Sequence, residues 1–175
     1  LQYQSIYVDG NKLVIKPHHG ALDYQTGYYV VIGNDVVVDT QLNGIDFDGL
    51  GSSTMWSFAT KAIAPTGTHI VVDDDGDADF RSLQGAMAYA MKDKNADMTI
   101  WVRDGVYNEL LYLRDKNNLT IQGESRDNTI VQYANYEGLN GGSSGRSVFL
   151  VESSDNLVLN NFTLKNTHQR TGSGD

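Results

Sequence analysis

Hydrophobic positions in this chain alternate with polar ones over runs of three to five residues, and turn residues break the runs at short intervals. Such a pattern predicts half-buried strands rather than helices. Ser5-Ile6-Tyr7-Val8 runs into Asp9-Gly10-Asn11, a hairpin signal, and Lys12-Leu13-Val14-Ile15-Lys16 then alternates until Pro17 stops it. Tyr28-Tyr29-Val30-Val31-Ile32 is the next predicted strand, closed by Gly33-Asn34-Asp35, with Val36 to Asp39 expected to continue it. A Gly- and Asp-rich loop over 43–53 leads to residues 54–60. There Met55, Ser57 and Ala59 share one face, with Trp56 and Phe58 on the other. These strands, without any helical period between them, predict part of a β-sandwich.

Ala62-Ile63-Ala64-Pro65-Thr66-Gly67-Thr68 reads as a linker, and the pattern changes after it. A strand over 69–72 and an acidic turn over 73–79 precede the one predicted helix. Ser82 is its expected N-cap, and Leu83, Ala86, Met87, Ala90 and Met91 recur at helical spacing. Beyond it the text repeats. Asn118-Leu119-Thr120-Ile121-Gln122-Gly123 is echoed by Asn156-Leu157-Val158-Leu159-Asn160 and by Asn161-Phe162-Thr163-Leu164-Lys165-Asn166. Short strands ended by Asn, Gly or Asp suit a parallel β-helix whose coils stack strand on strand, with the helix closing the first coil. An ordinary antiparallel sheet is the competing reading.

Composition sharpens this picture. Among 175 residues there are 18 Asp but only 4 Glu, with 14 Asn and 18 Gly. Asp, Asn and Gly build turns and tolerate left-handed backbone, whereas the helix-favouring Glu is scarce, so the chain is expected to be mostly β. The formal charge of −9 argues against a nucleic-acid partner, which needs clustered Lys and Arg. No run approaches the roughly 18 apolar residues of a membrane span. Without cysteine there is no disulfide, thiolate metal site or thiol nucleophile.

Two resemblances follow from the residues. Asn11-Lys12-Leu13-Val14-Ile15-Lys16-Pro17, Tyr28-Tyr29-Val30-Val31-Ile32 and Trp56-Ser57-Phe58-Ala59-Thr60 resemble the later strands of bacterial Ig-like domains, whose early strands would precede Leu1. From His69 onward the chain resembles the N-terminal half of pectin methylesterases (pectinesterases). The matching pieces are the run from Ile70 to Gln84, Ile100-Trp101-Val102-Arg103-Asp104-Gly105-Val106-Tyr107-Asn108-Glu109, the run from Leu119 to Val131, and Asn160-Asn161-Phe162-Thr163-Leu164-Lys165-Asn166-Thr167. Gly123-Glu124-Ser125-Arg126-Asp127-Asn128-Thr129-Ile130 is the most pectinesterase-like of them. The resemblance implies a right-handed parallel β-helix over 69–175 with an N-terminal capping helix, after an Ig-like β-sandwich fragment over 1–62 and a linker over 63–68. It also implies an esterase that releases methanol from methylated homogalacturonan with no cofactor and no metal. Such a protein is expected to be secreted or displayed on a bacterial cell surface, with pectin and the remainder of its own chain as partners. A pectate-lyase-like or non-catalytic polysaccharide-binding β-helix is the alternative.

Family members use two aspartates, as nucleophile and as general acid/base, with oxyanion-stabilising glutamines and a positioning arginine. All are expected beyond residue 175, so no catalytic residue is assigned here; Gln169 follows Thr167 too soon to be the first glutamine. Ser143 and Ser144, within Gly142-Ser143-Ser144-Gly145, fall where the family places a small-residue loop lining the substrate. Other candidates read as structural. Asp73, Asp75, Asp77 and Asp79 imitate calcium-loop spacing but have Ala78 and Gln84 where that loop needs Gly and Glu. His18 and His19 are adjacent, which sends strand side chains to opposite faces. Gly141-Gly142-Ser143-Ser144-Gly145 matches a nucleophile-elbow string without a strand-to-helix context. Tyr107, Tyr112, Tyr133 and Tyr136 could offer a sugar-stacking platform, although tyrosines of β proteins more often cover sheet surfaces.

Overall fold

A computed structural model describes residues 1–38, 41–42 (backbone only), 45–170 and 172. The chain forms two compact units, residues 20–64 and residues 1–19 together with those from 65 onward. Residues 1–19 thus group with the later residues, whereas the expected first unit ran over 1–62. The first hairpin, β1 (Ile6–Asp9) with β2 (Lys12–Ile15), does form, antiparallel, with Gly10 at φ +57° in its turn. It belongs with the β-helix because polar groups at and beside it find partners there. Lys16 Nζ donates to Asn108 O at 2.6 Å, and the Gln4 N–H donates to Tyr133 Oη at 2.9 Å.

Within residues 20–64, β3 (Gly27–Tyr29), β4 (Gln41–Leu42), β5 (Ile45–Asp46) and β6 (Ser57–Ala59) pair antiparallel as β3–β6 and β4–β5. Tyr28 stacks on Phe58, and Ile32 bridges Leu50. Residues 36–38 are not strand, because the chain turns at Asp35 with φ +66°; the expected end of that strand at Asp39 lies outside the described residues. Met55 and Trp56 sit in a turn and are exposed. The described residues of this unit thus form two-stranded pieces without the two facing sheets of a sandwich.

The larger unit is a parallel β-helix. It comprises β7 (His69–Val72), α1 (Leu83–Ala90), β8 (Met98–Val102), β9 (Gly105–Asn108), β10 (Leu111–Arg114), β11 (Leu119–Gly123), β12 (Thr129–Tyr133), β13 (Phe149–Glu152), β14 (Leu157–Asn160) and β15 (Thr163–Asn166). Three parallel sheets run along the stack: β7-β8-β11-β14, β9-β12-β15 and β10-β13. Register puts like on like, as in the inward columns Ile70–Ile100–Ile121–Leu159 and Tyr107–Val131–Leu164. The first three members of one column and the first two of the other are buried, whereas Leu159 and Leu164 in the last coil are 44% and 40% exposed. The second echo in the sequence, residues 161–166, stacks on β12 rather than on β11.

One corner of the coil is built twice to the same plan. Four residues join β10 to β11 and β13 to β14, with Asp115 and Asn118 in the first copy and Ser153 and Asn156 in the second all at positive φ. Asparagine tolerates that conformation better than most side chains. Here its amide also links coils: Asn156 Nδ2 donates to Asn118 Oδ1 at 2.9 Å, and Asn118 Nδ2 to Asn95 O at 3.2 Å. Lys116, fully buried in the first copy, donates from Nζ to Ala96 O at 2.5 Å and Asn117 O at 2.7 Å. Burial lowers its pKa, while Asp93 and Asp97 oppose that shift.

Helix α1 packs on this core through Leu83, Ala86, Met87 and Ala90, all fully buried. Ser82 Oγ accepts from the Gly85 N–H at 3.2 Å, the predicted cap. The helix ends at Ala90, so Met91, expected on its apolar stripe, is its half-buried C-cap. Two long-range polar contacts fix its start. The Leu83 and Gln84 N–H groups donate to Glu109 Oε1 and Oε2 at 3.0 and 2.9 Å, and the Gln84 amide exchanges two hydrogen bonds with the Tyr112 backbone.

Burial raises the Glu109 pKa above the ordinary 4.5, against the pull of those N–H groups and of the Lys16 ammonium. The folded state therefore holds this proton to higher pH than the unfolded chain does. What Glu109 contributes to stability is fully present below about pH 4.5 and drains away as pH rises through the raised value. Glu109→Gln removes the titration, so the Tm of wild type should fall relative to that of the variant as pH rises above about 4.5. Thermal melts at pH values on both sides of 4.5 check this; a wild-type Tm that rises relative to the variant's with pH would contradict it.

Candidate functional site

The corner after β9 is only Glu109 and Leu110, but after β12 it becomes the fifteen-residue excursion 134–148. Four glycines within it, Gly138, Gly141, Gly142 and Gly145, allow the chain to fold back on itself. Gly142 has φ +85°, and a Cβ on Gly145 would lie 2.5 Å from Gly141 O. The Leu139 and Asn140 N–H groups both donate to Tyr136 O, which closes the first turn.

Ser143 and Ser144 lie at the exposed tip of this excursion. The turn around them is braced from outside and from below. Glu137 accepts from the Gly142 N–H at 3.1 Å and pairs with Arg146 at 3.3 Å, an exposed ion pair worth about 0–1 kcal/mol. Ser147 Oγ donates to Ser144 O at 2.9 Å. Beneath, Asn135 Nδ2 donates to Gly145 O and to Ser147 O, each at 2.8 Å. Asn135 also exchanges hydrogen bonds with Asn166 in the next coil: its N–H donates to Asn166 Oδ1, and Asn166 Nδ2 donates to its O. Tyr136, 38% exposed, stacks on His168 with ring centroids 4.4 Å apart. The result is a polar rim carrying hydroxyls and an aromatic pair.

Ser143 follows no strand-to-helix junction; it lies in the loop between two coil strands, so the elbow geometry is missing. The four tyrosines do not form one platform. Tyr107 is buried, its Oη donating to Arg103 O at 3.0 Å, and burial raises its pKa. Tyr112 donates to Glu152, and Tyr133 accepts from Gln4, whereas Tyr136 belongs to the same excursion as the serines and stacks on His168. His18 contacts Tyr3 Oη at 3.1 Å. Gln169 is exposed in the irregular segment after β15.

Three aspartates of the acidic run, Asp73, Asp74 and Asp79, hold backbone. Asp73 Oδ1 accepts from the Asp75 and Gly76 N–H groups, which draws its pKa below the ordinary carboxylate value. Asp74 accepts from the Val106 N–H and Asp79 from the Val71 N–H. Among the described residues, Asp73, Asp74 and Asp75 are the three acids whose oxygens converge, within 4.8 Å. Asn135 and Asn140, buried beneath the turn, are the site-supporting side chains that sequence reasoning missed, since an Asn in a Gly-rich stretch reads as solvated turn.

Comparison with known proteins agrees with this architecture. The pectinesterase family profile matches residues 69–172. The Arabidopsis thaliana protein "Pectinesterase/pectinesterase inhibitor 18" is 28% identical over 100 residues, covering 57% of this chain and 18% of that protein. "Probable pectinesterase 56" of the same plant is 25% identical over 99 residues, 56% of this chain and 34% of its own length. A crystal structure of a pectin methylesterase in complex with hexasaccharide VII superposes with a TM-score of 0.50 at 27% identity, covering 60% of this chain and 32% of that one. The chain thus spans between about a fifth and a third of these relatives' lengths. With the profile match extending over more than half of the sequence, on a parallel β-helix with the expected helix at its first coil, this chain belongs to the pectinesterase family.

Proposed function

We propose that this chain supplies the first coils of an extracellular carbohydrate esterase that hydrolyses the methyl esters of homogalacturonan and releases methanol. The observation that carries the reading is the stacked β-helix over the same residues that match the family profile. In the chemistry implied by the family, one aspartate attacks the ester carbonyl and a second donates the proton that methanol carries away. Glutamine amides stabilise the oxyanion, and water then frees the nucleophile. The described aspartates with a traced role here hold turns and backbone, so this reading places the catalytic pair on coils stacked beyond β13–β15. The present coils contribute the rim around Ser143 and Ser144, which lines the sugar chain. Outside the cell is where such a substrate is met, and no helix among the described residues is long and apolar enough to cross a membrane.

The test is methanol release from methyl-esterified homogalacturonan. We expect none from residues 1–175 alone and release from a polypeptide continued through the following coils. Loss of a single oxyanion donor costs about 10²–10³ in rate, and loss of the whole set leaves nothing to measure. Turnover by residues 1–175 would overturn the placement of the chemistry. Unsaturated uronides in place of methanol from the longer chain would replace the esterase with a lyase.

A further inference from the structure

Behind the exposed serines runs a relay of hydrogen bonds that begins far away in sequence. The Gln2 N–H donates to Asn140 Oδ1 at 2.6 Å, across 138 positions. Asn140 Nδ2 donates to Gln2 O and to Asn135 Oδ1, each at 2.9 Å. Asn135 Nδ2 then donates to the carbonyls of Gly145 and Ser147 on either side of the turn's end. Gln4, held by Tyr133, fastens the same segment a second time. Asn135 and Asn140 are 2% and 8% exposed, so these amides are committed to the relay rather than to water.

A loop rich in glycine has much conformational freedom to lose when it meets a ligand, and prior ordering removes that cost from binding. We propose that Asn135 and Asn140 are positioning residues for the sugar chain, carrying the docking of residues 2–4 into a fixed geometry of the turn that presents Ser143 and Ser144 to a methylated uronide. This rests on the esterase reading above. The role is transmitted, since neither amide reaches the surface that would touch the polymer.

The experiment uses the complete polypeptide that carries these coils, with Asn140→Ala, Asn135→Ala, Asn140→Asp and a deletion of residues 1–4. Each should raise KM for methylated homogalacturonan by about tenfold while kcat stays within about twofold, the mark of lost ground-state binding. Asn140→Asp keeps an acceptor for the Gln2 N–H but loses both Nδ2 donations, so it should behave like the alanine variant. Amide hydrogen exchange should quicken over 141–147 and stay unchanged in β8 and β11. If Asn135→Ala fails to fold, Asn140→Ala and the deletion decide. An unchanged KM with unchanged exchange overturns the proposal, and so does a fall in kcat at constant KM. Should the wild-type protein release no methanol, the esterase reading fails by itself. Calorimetric affinity for a methylated oligogalacturonide, set beside the exchange data, then decides the positioning role: weaker binding with a loosened loop supports it, and equal binding overturns it.

Discussion

Met87→Asp should remove the cooperative unfolding transition of the β-helix unit. Met87 is fully buried where α1 meets the first coil, among Ile70, Ile100, Leu111 and Leu113 in one apolar cluster. A carboxylate there has no partner and no water, and an uncompensated buried charge costs about 3–5 kcal/mol. A domain's whole margin is about 5–15 kcal/mol, so the loss takes from about a fifth of it to nearly all of it. Circular dichroism melts would register the change. Lys92→Asp, one position beyond the C-cap and exposed, serves as the control and should move stability by no more than about 1 kcal/mol. Equal melts for the Met87 variant and wild type would remove the case for α1 as the closure of the first coil.

Gly123→Ala should damage a different part of the molecule. Gly123 ends β11 beneath the corner between β14 and β15, and a Cβ built there meets Asn161 O and comes within 2.7 Å of Phe162 Cβ. Backbone of the next coil cannot swing aside as a flexible side chain would. Overpacking of this kind costs about 1–3 kcal/mol. The last coil must lift to make room, so hydrogen exchange should quicken in β14 and β15 and hold steady in β7 and β8. Gly51→Ala, with open space at its Cβ, should leave both patterns intact. Uniform destabilisation across all coils would show that the stack responds as one body instead.

Local signals made much of this architecture legible. The helical spacing of Leu83, Ala86, Met87 and Ala90 located α1, because one apolar stripe is all that a surface helix needs to declare itself. The repeated Asn-Leu runs located β11 and β14 as stacked partners. What stayed hidden was long-range. Burial of Gln84 comes from its amide meeting the Tyr112 backbone, and nothing in residues 80–90 encodes that partner. The hairpin pattern of residues 6–15 was readable, but not its alliance with the β-helix, which depends on Lys16 reaching Asn108. At the site, Gly and Ser marked the exposed tip, whereas Asn135 and Asn140 looked like any other turn asparagines until their partners were known.

Two of the coil's three corners divide labour in a way that bears on how such proteins diversify. The four-residue corner with left-handed residues at its two ends keeps one length in both copies, so it acts as a ruler that resets the register of each new coil. The corner after β9 and β12 is released from that duty and stretches from two residues to fifteen without disturbing strand pairing on either side. Insertions and deletions are therefore tolerated on one ridge of the stack and penalised on another. Residues 134–148 are in this sense a cassette, open to grafting from relatives with other appetites, while the asparagine corner opposite is the part that no graft should touch.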